Sequence, residues 1–136
     1  MDYSLSLLPS LSELDLRRNH ITTISALAAC TSLTRLNLAC NGISDCRPLA
    51  ECPSLLEVDL SWNGVACLEG LHRLRALLRL DLRGNRVSQL EEVANVGALP
   101  VLAELLVQRN PVSCVLGWRI GVLACFPERF HAVALD

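Results

Sequence analysis

Leu11, Leu33, Leu55 and Leu77 stand 22 residues apart, Leu102 follows after 25, and each is followed eight residues later by an asparagine. Between them the frame is filled by Leu14, Leu36, Val58, Leu80 and Leu105, and then by Leu16, Leu38, Leu60, Leu82 and Val107. The asparagines are Asn19, Asn41, Asn63, Asn85 and Asn110. Five copies of L-x-x-L-x-L-x-x-N with only aliphatic exchanges make a structural repeat. The second half of the unit is periodic too, through Ile21, Ile43, Val65, Val87 and Val112. One such unit cannot bury its apolar side alone, so successive units must stack around a shared core. The composition agrees: 51% of the residues are hydrophobic but only 4% aromatic, as expected of many similar layers.

Each unit reads as a short strand, a turn at the asparagine and a short helical or 3-10 return. Stacking lines the strands up as a parallel sheet on one curved face. The period of two in a strand turns Leu14 and Leu16 inward and Glu13, Asp15 and Arg17 outward. The asparagine amides are expected to bond backbone groups of their own and the neighbouring turn, because buried polar groups need partners. Asp45 before Arg47-Pro48 predicts a capped first turn. Ser88 with Glu91 predicts a capping box, and the longer fourth unit through Glu91, Glu92, Val93 and Val96 predicts a helix of two or more turns.

The fold class is therefore α/β: a right-handed solenoid with a concave parallel sheet, short helices or 3-10 turns on the convex face, and a helical C-terminal cap. A single domain over 1–136 is expected, with a partial leading repeat at 1–10, repeats at 11–109 and the cap at 110–136. Leu5 aligns with Leu27, and Leu8-Pro9-Ser10-Leu11 with Cys52-Pro53-Ser54-Leu55, so the sequence opens partway through a repeat. Its first strand would be a bare edge, which proteins usually avoid. That reads as a fragment of a longer chain, ahead of a short isoform or an edge covered by a partner; a monomeric domain is otherwise expected.

The net charge is −2 and all twelve basic residues are scattered arginines, which argues against direct nucleic-acid binding. No run of about twenty apolar residues could cross a membrane. The N-terminal residues lack the basic region of a secretory signal. Seven cysteines, an odd number, point with that to a reducing, cytoplasmic setting.

The 22-residue unit resembles the short-repeat class of leucine-rich repeats. That class includes the phosphatase regulator it is named for, the spliceosomal A-prime protein, the acidic nuclear phosphoproteins and outer-arm dynein light chain. The C-terminal residues resemble the cap motif of such proteins: Asn110-Pro111, Trp118-Arg119, Ile120 through Leu123, Phe126-Pro127 and Leu135-Asp136. Trp118 stands where the motif usually has Tyr. The stretch from Pro127 to Leu135 is longer than usual, so the last residues are expected to bulge or be displaced. The resemblance implies a protein-interaction scaffold with no cofactor, in the cytoplasm and in cytoskeletal or ciliary assembly. A subunit of a phosphatase-regulatory or ribonucleoprotein complex is the alternative.

The outward strand positions carry the functional information. The first row, Glu13, Arg35, Glu57, Arg79 and Glu104, alternates in sign at a strand spacing of about 4.8 Å. It reads as a self-satisfied ladder ahead of a charge-coded binding strip. The second row is Asp15, Asn37, Asp59, Asp81 and Leu106. Asp59 and Asp81 would be neighbouring like charges, costly unless an arginine such as Arg35, Arg79 or Arg83 compensates. They are the better candidates for a basic partner group and make a poor metal site. Before each turn asparagine stand Arg18, Cys40, Trp62, Gly84 and Arg109, where an exposed Trp62 near arginines has the composition of an interface hot spot. The expected contact residues are Trp62, Asp59, Asp81, Arg83, Leu106, Arg109 and Arg18. Trp118 is expected in the core. Cys30, Cys46 and Cys52 read as core thiols, and Cys40 as the one reactive thiol. His20, His72 and His131 have no convergent nucleophile or acid, so catalysis is not expected. A thiol-based redox sensor or enzyme around Cys40 is the remaining alternative.

Overall fold

The computed structural model describes residues 7, 8, 10–127 and 134–135. Leu5, Pro9, His131 and Asp136 lie outside them. Five three-residue strands follow the repeat: β1 Glu13–Asp15, β2 Arg35–Asn37, β3 Glu57–Asp59, β4 Arg79–Asp81 and β5 Glu104–Leu106. With β6, Ala134–Leu135, they form one parallel sheet in sequential order. The register is the repeat itself: Leu14 pairs with Leu36, Leu36 with Val58, Val58 with Leu80 and Leu80 with Leu105. The inward aliphatic positions, with Ile43, Val65, Val87 and their equivalents, form one continuous core.

The returns are 3-10 turns at Ser25–Ala29, Arg47–Glu51 and Leu71–Arg73. In the longer fourth unit the return is helix α1, Leu90–Gly97. The expected capping box is absent there. The helix starts one residue beyond Ser88, at a Gln89 cap that makes no side-chain bond, so the Ser88 hydroxyl is out of register. Glu92 instead turns back to the preceding repeat and accepts the Leu68 N–H at 2.7 Å. Asp45 lies one residue ahead of the first-turn cap at Cys46. Its carboxylate accepts the Arg47 N–H at 3.0 Å and a guanidinium bond at 2.8 Å. These bonds from Arg47 hold the Asp45 carboxyl below its ordinary pKa.

The asparagines form the expected ladder. Asn85 Nδ2 donates to Leu60 O of the preceding repeat (2.8 Å) and to Leu82 O of its own (3.0 Å). Its Oδ1 accepts the Val65 N–H at 3.0 Å. Asn41, Asn63 and Asn110 repeat this pattern. Each therefore satisfies three backbone groups across two repeats.

The cap begins at a 3-10 turn, Pro111–Cys114, and continues as helix α2, Trp118–Ala124. Val122 and Phe126 seal the core end. Trp118 is only partly buried: it packs on the core edge while the Arg119 guanidinium lies 4.6 Å from its ring centre. The expectation of a buried Trp118 fails because α2 buries Val122 and leaves Ile120 exposed. Leu135 is not displaced. It pairs with Leu105 and extends the inward row by one strand.

Candidate functional site

The sheet's outward rows line a groove of about 460 Å³ that runs from β1 to β4. The first row is the predicted ladder. Arg35 bridges Glu13 (3.1 Å) and Glu57 (3.4 Å), and Arg79 pairs with Glu104 (3.2 Å). These pairs are largely solvated, so each is worth only about 0–1 kcal/mol.

The second row divides differently from the expectation. Asp59 and Asp81 are register partners on β3 and β4, but only Asp59 keeps access to solvent. Asp81 is 1% exposed. Arg83, two residues on, closes over it through Nε at 3.0 Å and Nη2 at 2.6 Å. That bidentate pair removes the like-charge cost and removes Asp81 from the set of partner contacts. Leu106 is also buried, at 3% exposure, so it too leaves the set. Its strand is covered on one side by β6, a neighbour that the five-strand frame does not contain. Asp59 is half-buried and remains on the groove wall.

At the end of each strand the chain makes a sharp turn through a left-handed residue. Arg18, Cys40, Trp62 and Arg109 have φ of 56°, 56°, 57° and 57°, and Gly84 has 67°. Such a conformation costs a non-glycine residue on the order of 1–3 kcal/mol and persists only where its surroundings enforce it. Here they do: Arg18, Cys40 and Trp62 each donate an N–H to the next repeat, Trp62 to Arg83 O at 2.7 Å. Only one of the five positions uses the residue that avoids the strain.

That glycine makes room for the tryptophan. A Cβ on Gly84 would meet Cδ2 and Cε3 of Trp62 at 2.8 Å. The indole therefore lies across the bare backbone of the next repeat and reaches the one beyond, where the Arg109 guanidinium carbon sits 5.4 Å from its ring centre. A cation this close to an aromatic face is attracted to it by about 0.5–1 kcal/mol at an exposed site. The ring is thereby oriented and still 50% exposed. Arg18 and Arg109 are exposed as expected, with Arg18 at the β1 end of the same row.

The thiols sort by burial. Cys30, Cys46 and Cys52 are in the core. Loss of hydration pushes the Cys46 thiol up to about 12, helped by the charge of Asp45, and Cys52 up to about 11. Cys40, Cys67 and Cys114 are exposed. A thiol reagent at pH 8 should modify these three quickly and reach Cys30, Cys46 and Cys52 only on unfolding. A single fast thiol, reactive well below pH 8, would instead favour the redox-sensor alternative. Among the described residues no group of three or more His, Cys, Asp or Glu side chains is placed to hold a metal ion. No helix among the described residues is long and apolar enough to cross a membrane.

Residues 9–51 match a family model described as leucine rich repeats (2 copies), and residues 51–66 one described as leucine rich repeat. The chain carries leucine-rich repeats there and has the leucine-rich repeat fold. An internalin C2 of Listeria monocytogenes is 28% identical, with a TM-score of 0.80 over 98% of this chain and 55% of its own. A second Listeria internalin, inlF, is 28% identical with a TM-score of 0.73, covering 81% of this chain and 32% of its own. A leucine-rich repeat protein of Leptospira interrogans, 23% identical, superimposes with a TM-score of 0.84 over 100% of this chain and 33% of its own, a likeness of fold. This leucine-rich repeat chain thus spans between about a third and just over half of the length of those structures. No curated protein matches it in sequence. Leucine-rich repeat proteins act in general by binding other proteins and are typically non-catalytic scaffolds.

Proposed function

We propose that this leucine-rich repeat domain is a non-catalytic protein-binding module that receives its partner on the concave sheet face, centred on Trp62. One observation carries the reading. The bulkiest residue at the strand-end position occupies a strained left-handed site and is oriented by Gly84 and Arg109, yet half of its surface faces solvent. The fold would be served at least as well by glycine, as position 84 shows. An indole presented in this way, with Arg109 beside it, has the composition of an interface hot spot. Half-buried Asp59 and exposed Arg18 complete the set.

The setting we favour is the cytoplasm, in cytoskeletal or ciliary assembly. It rests on the likeness of the 22-residue unit to that of outer-arm dynein light chain.

Affinity capture with wild-type and Trp62→Ala chains tests the surface. Loss of a hot-spot tryptophan should weaken partner binding by about 2 kcal/mol or more. Folding stability should change by no more than about 0.5 kcal/mol, as for other exposed sites. Unchanged capture would remove Trp62 from the interface, and a large drop in stability would make it a structural residue.

A further inference from the structure

The same second-row position shows what the fold requires and what it does not. Asp15, Asn37, Asp59 and Asp81 each accept, through Oδ1, the N–H of the residue two places on: Arg17 (3.1 Å), Ala39 (3.0 Å), Ser61 (2.9 Å) and Arg83 (3.1 Å). Asn37 does this as well as the three aspartates. The turn needs an oxygen acceptor there, and a negative charge adds nothing to it.

Where the charge is present, the chain usually neutralises it within the repeat. In Asp15-Leu16-Arg17 and Asp81-Leu82-Arg83 the arginine two residues on folds back to pair with its aspartate, at 3.2 and 2.6 Å. In Asp59-Leu60-Ser61 the arginine is replaced by a serine. Asp59 has no ion pair with any described residue, whereas Glu13, Asp15, Glu57, Asp81 and Glu104, the other acids of the strands, all have one. The missing cation leaves a half-buried carboxylate in a groove lined by four acidic side chains against two arginines. The next strand offers it no relief, because Asp81 is its register partner.

We propose that Asp59 is the anchor for a cationic side chain, lysine or arginine, of an extended partner segment lying in this groove. The inference rests on the concave-face reading above and adds the chemistry of the partner. The incoming cation would take the place that Arg17 and Arg83 occupy in their own repeats, at a point three residues from Trp62. Three features fit this role together: a surplus charge, a carboxylate already oriented by the Ser61 N–H, and a net acidic groove. A charge-assisted hydrogen bond at a partly desolvated carboxylate is among the stronger polar contacts.

The test uses the intact chain, 15N-labelled, titrated with a tetra-arginine peptide and with its neutral isostere tetra-citrulline. Because the Ser61 N–H is bonded to Asp59, its amide resonance reports on that carboxylate. Tetra-arginine should shift the Ser61 amide saturably, tetra-citrulline should not, and the shift should weaken as salt is raised. Asp59→Asn, which Asn37 shows the turn accommodates, should reduce the affinity about tenfold or more. Ser61→Arg, which supplies the cation internally, should do the same, and Glu51→Gln, on the 3-10 return outside the groove, should leave the affinity nearly unchanged. No saturable shift in the wild type, or equal affinity in Asp59→Asn, overturns the inference. A partner whose capture depends on Trp62 but is indifferent to Asp59→Asn would sink this inference and leave the surface standing. Tetra-arginine binding at Asp59 with capture indifferent to Trp62→Ala would sink the Trp62-centred surface instead.

Discussion

Asn85→Ala should cost this domain about 3–5 kcal/mol of stability. The substitution removes one side chain, leaves the Val65 N–H without its acceptor, and takes one of two amide donors from Leu60 O and from Leu82 O, which keep those of Asn63 and Asn110. Asn85 is itself buried, so water does not replace the amide freely. One unsatisfied buried donor costs about 1–3 kcal/mol and each of the two lost carbonyl bonds about 0.5–1.5 kcal/mol, which together exceed the modest hydrophobic gain from alanine. Domains of this size are stable by about 5–15 kcal/mol, so the variant should sit close to the threshold of folding. The chain contains its own control. Asn19 is exposed and, among the described residues, donates only within its own turn, to Leu16 O at 2.9 Å and Arg17 O at 3.3 Å. Asn19→Ala should therefore cost about 1 kcal/mol or less, the ordinary net value of one solvated hydrogen bond. Urea denaturation of both variants checks this, and similar midpoints would show that the ladder across repeats is not what stabilises the stack.

The same comparison shows why so much of the fold was legible in the sequence. A solenoid is nearly one-dimensional, and each unit meets only its neighbours. The spacing of Leu14, Leu36, Val58 and Leu80 therefore sets the sheet register, and that of the asparagines sets the ladder. Contacts that depend on side-chain reach were less legible. Asp81 was expected to be exposed because its row faces outward, and position in a row cannot say that Arg83 folds back over it. The signal was present in the D-L-R triplets at 15–17 and 81–83, set against Asp59-Leu60-Ser61. Leu106 was misplaced for another reason: the strand that flanks β5 comes from the cap, outside the repeat frame. Trp62 was identified as exposed, but its posture follows from two other repeats at once. Gly84 supplies the space and Arg109 the cation, and both stand at the equivalent position, where a reading down the column could have paired them. Helix starts were the least legible, since Ser88 and Gln89 differ by one residue and the capping geometry tolerates no such slip.

Gly97→Ala should open the C-terminal cap. Gly97 is the last residue of α1 and has no left-handed backbone, so conformational freedom is not the reason for a glycine there. By helix propensity alone alanine would be better by about 0.8–1 kcal/mol. The obstacle is contact: a Cβ at this position would fall inside the van der Waals envelope of the Cys125 carbonyl, just beyond the end of α2. Backbone cannot rotate aside as a side chain would, so α1 and the cap must separate. Overpacking of this kind costs about 1–3 kcal/mol, which outweighs the propensity gain. The consequences should be local at first. Trp118, which packs on the core edge, should lose its environment, and the Ala134 N–H, which donates to Ala103 O at 2.8 Å, should exchange faster. A solenoid with its end uncovered exposes the aliphatic side chains of its last repeat, here Leu102, Leu105 and Val107. The variant should therefore also self-associate as its concentration rises. Trp118 emission, hydrogen exchange at Ala134 and light scattering read these three effects. A variant more stable than wild type, with slow exchange at Ala134, would show that α1 and α2 can part far enough to admit the Cβ without cost and that helix propensity decides this position.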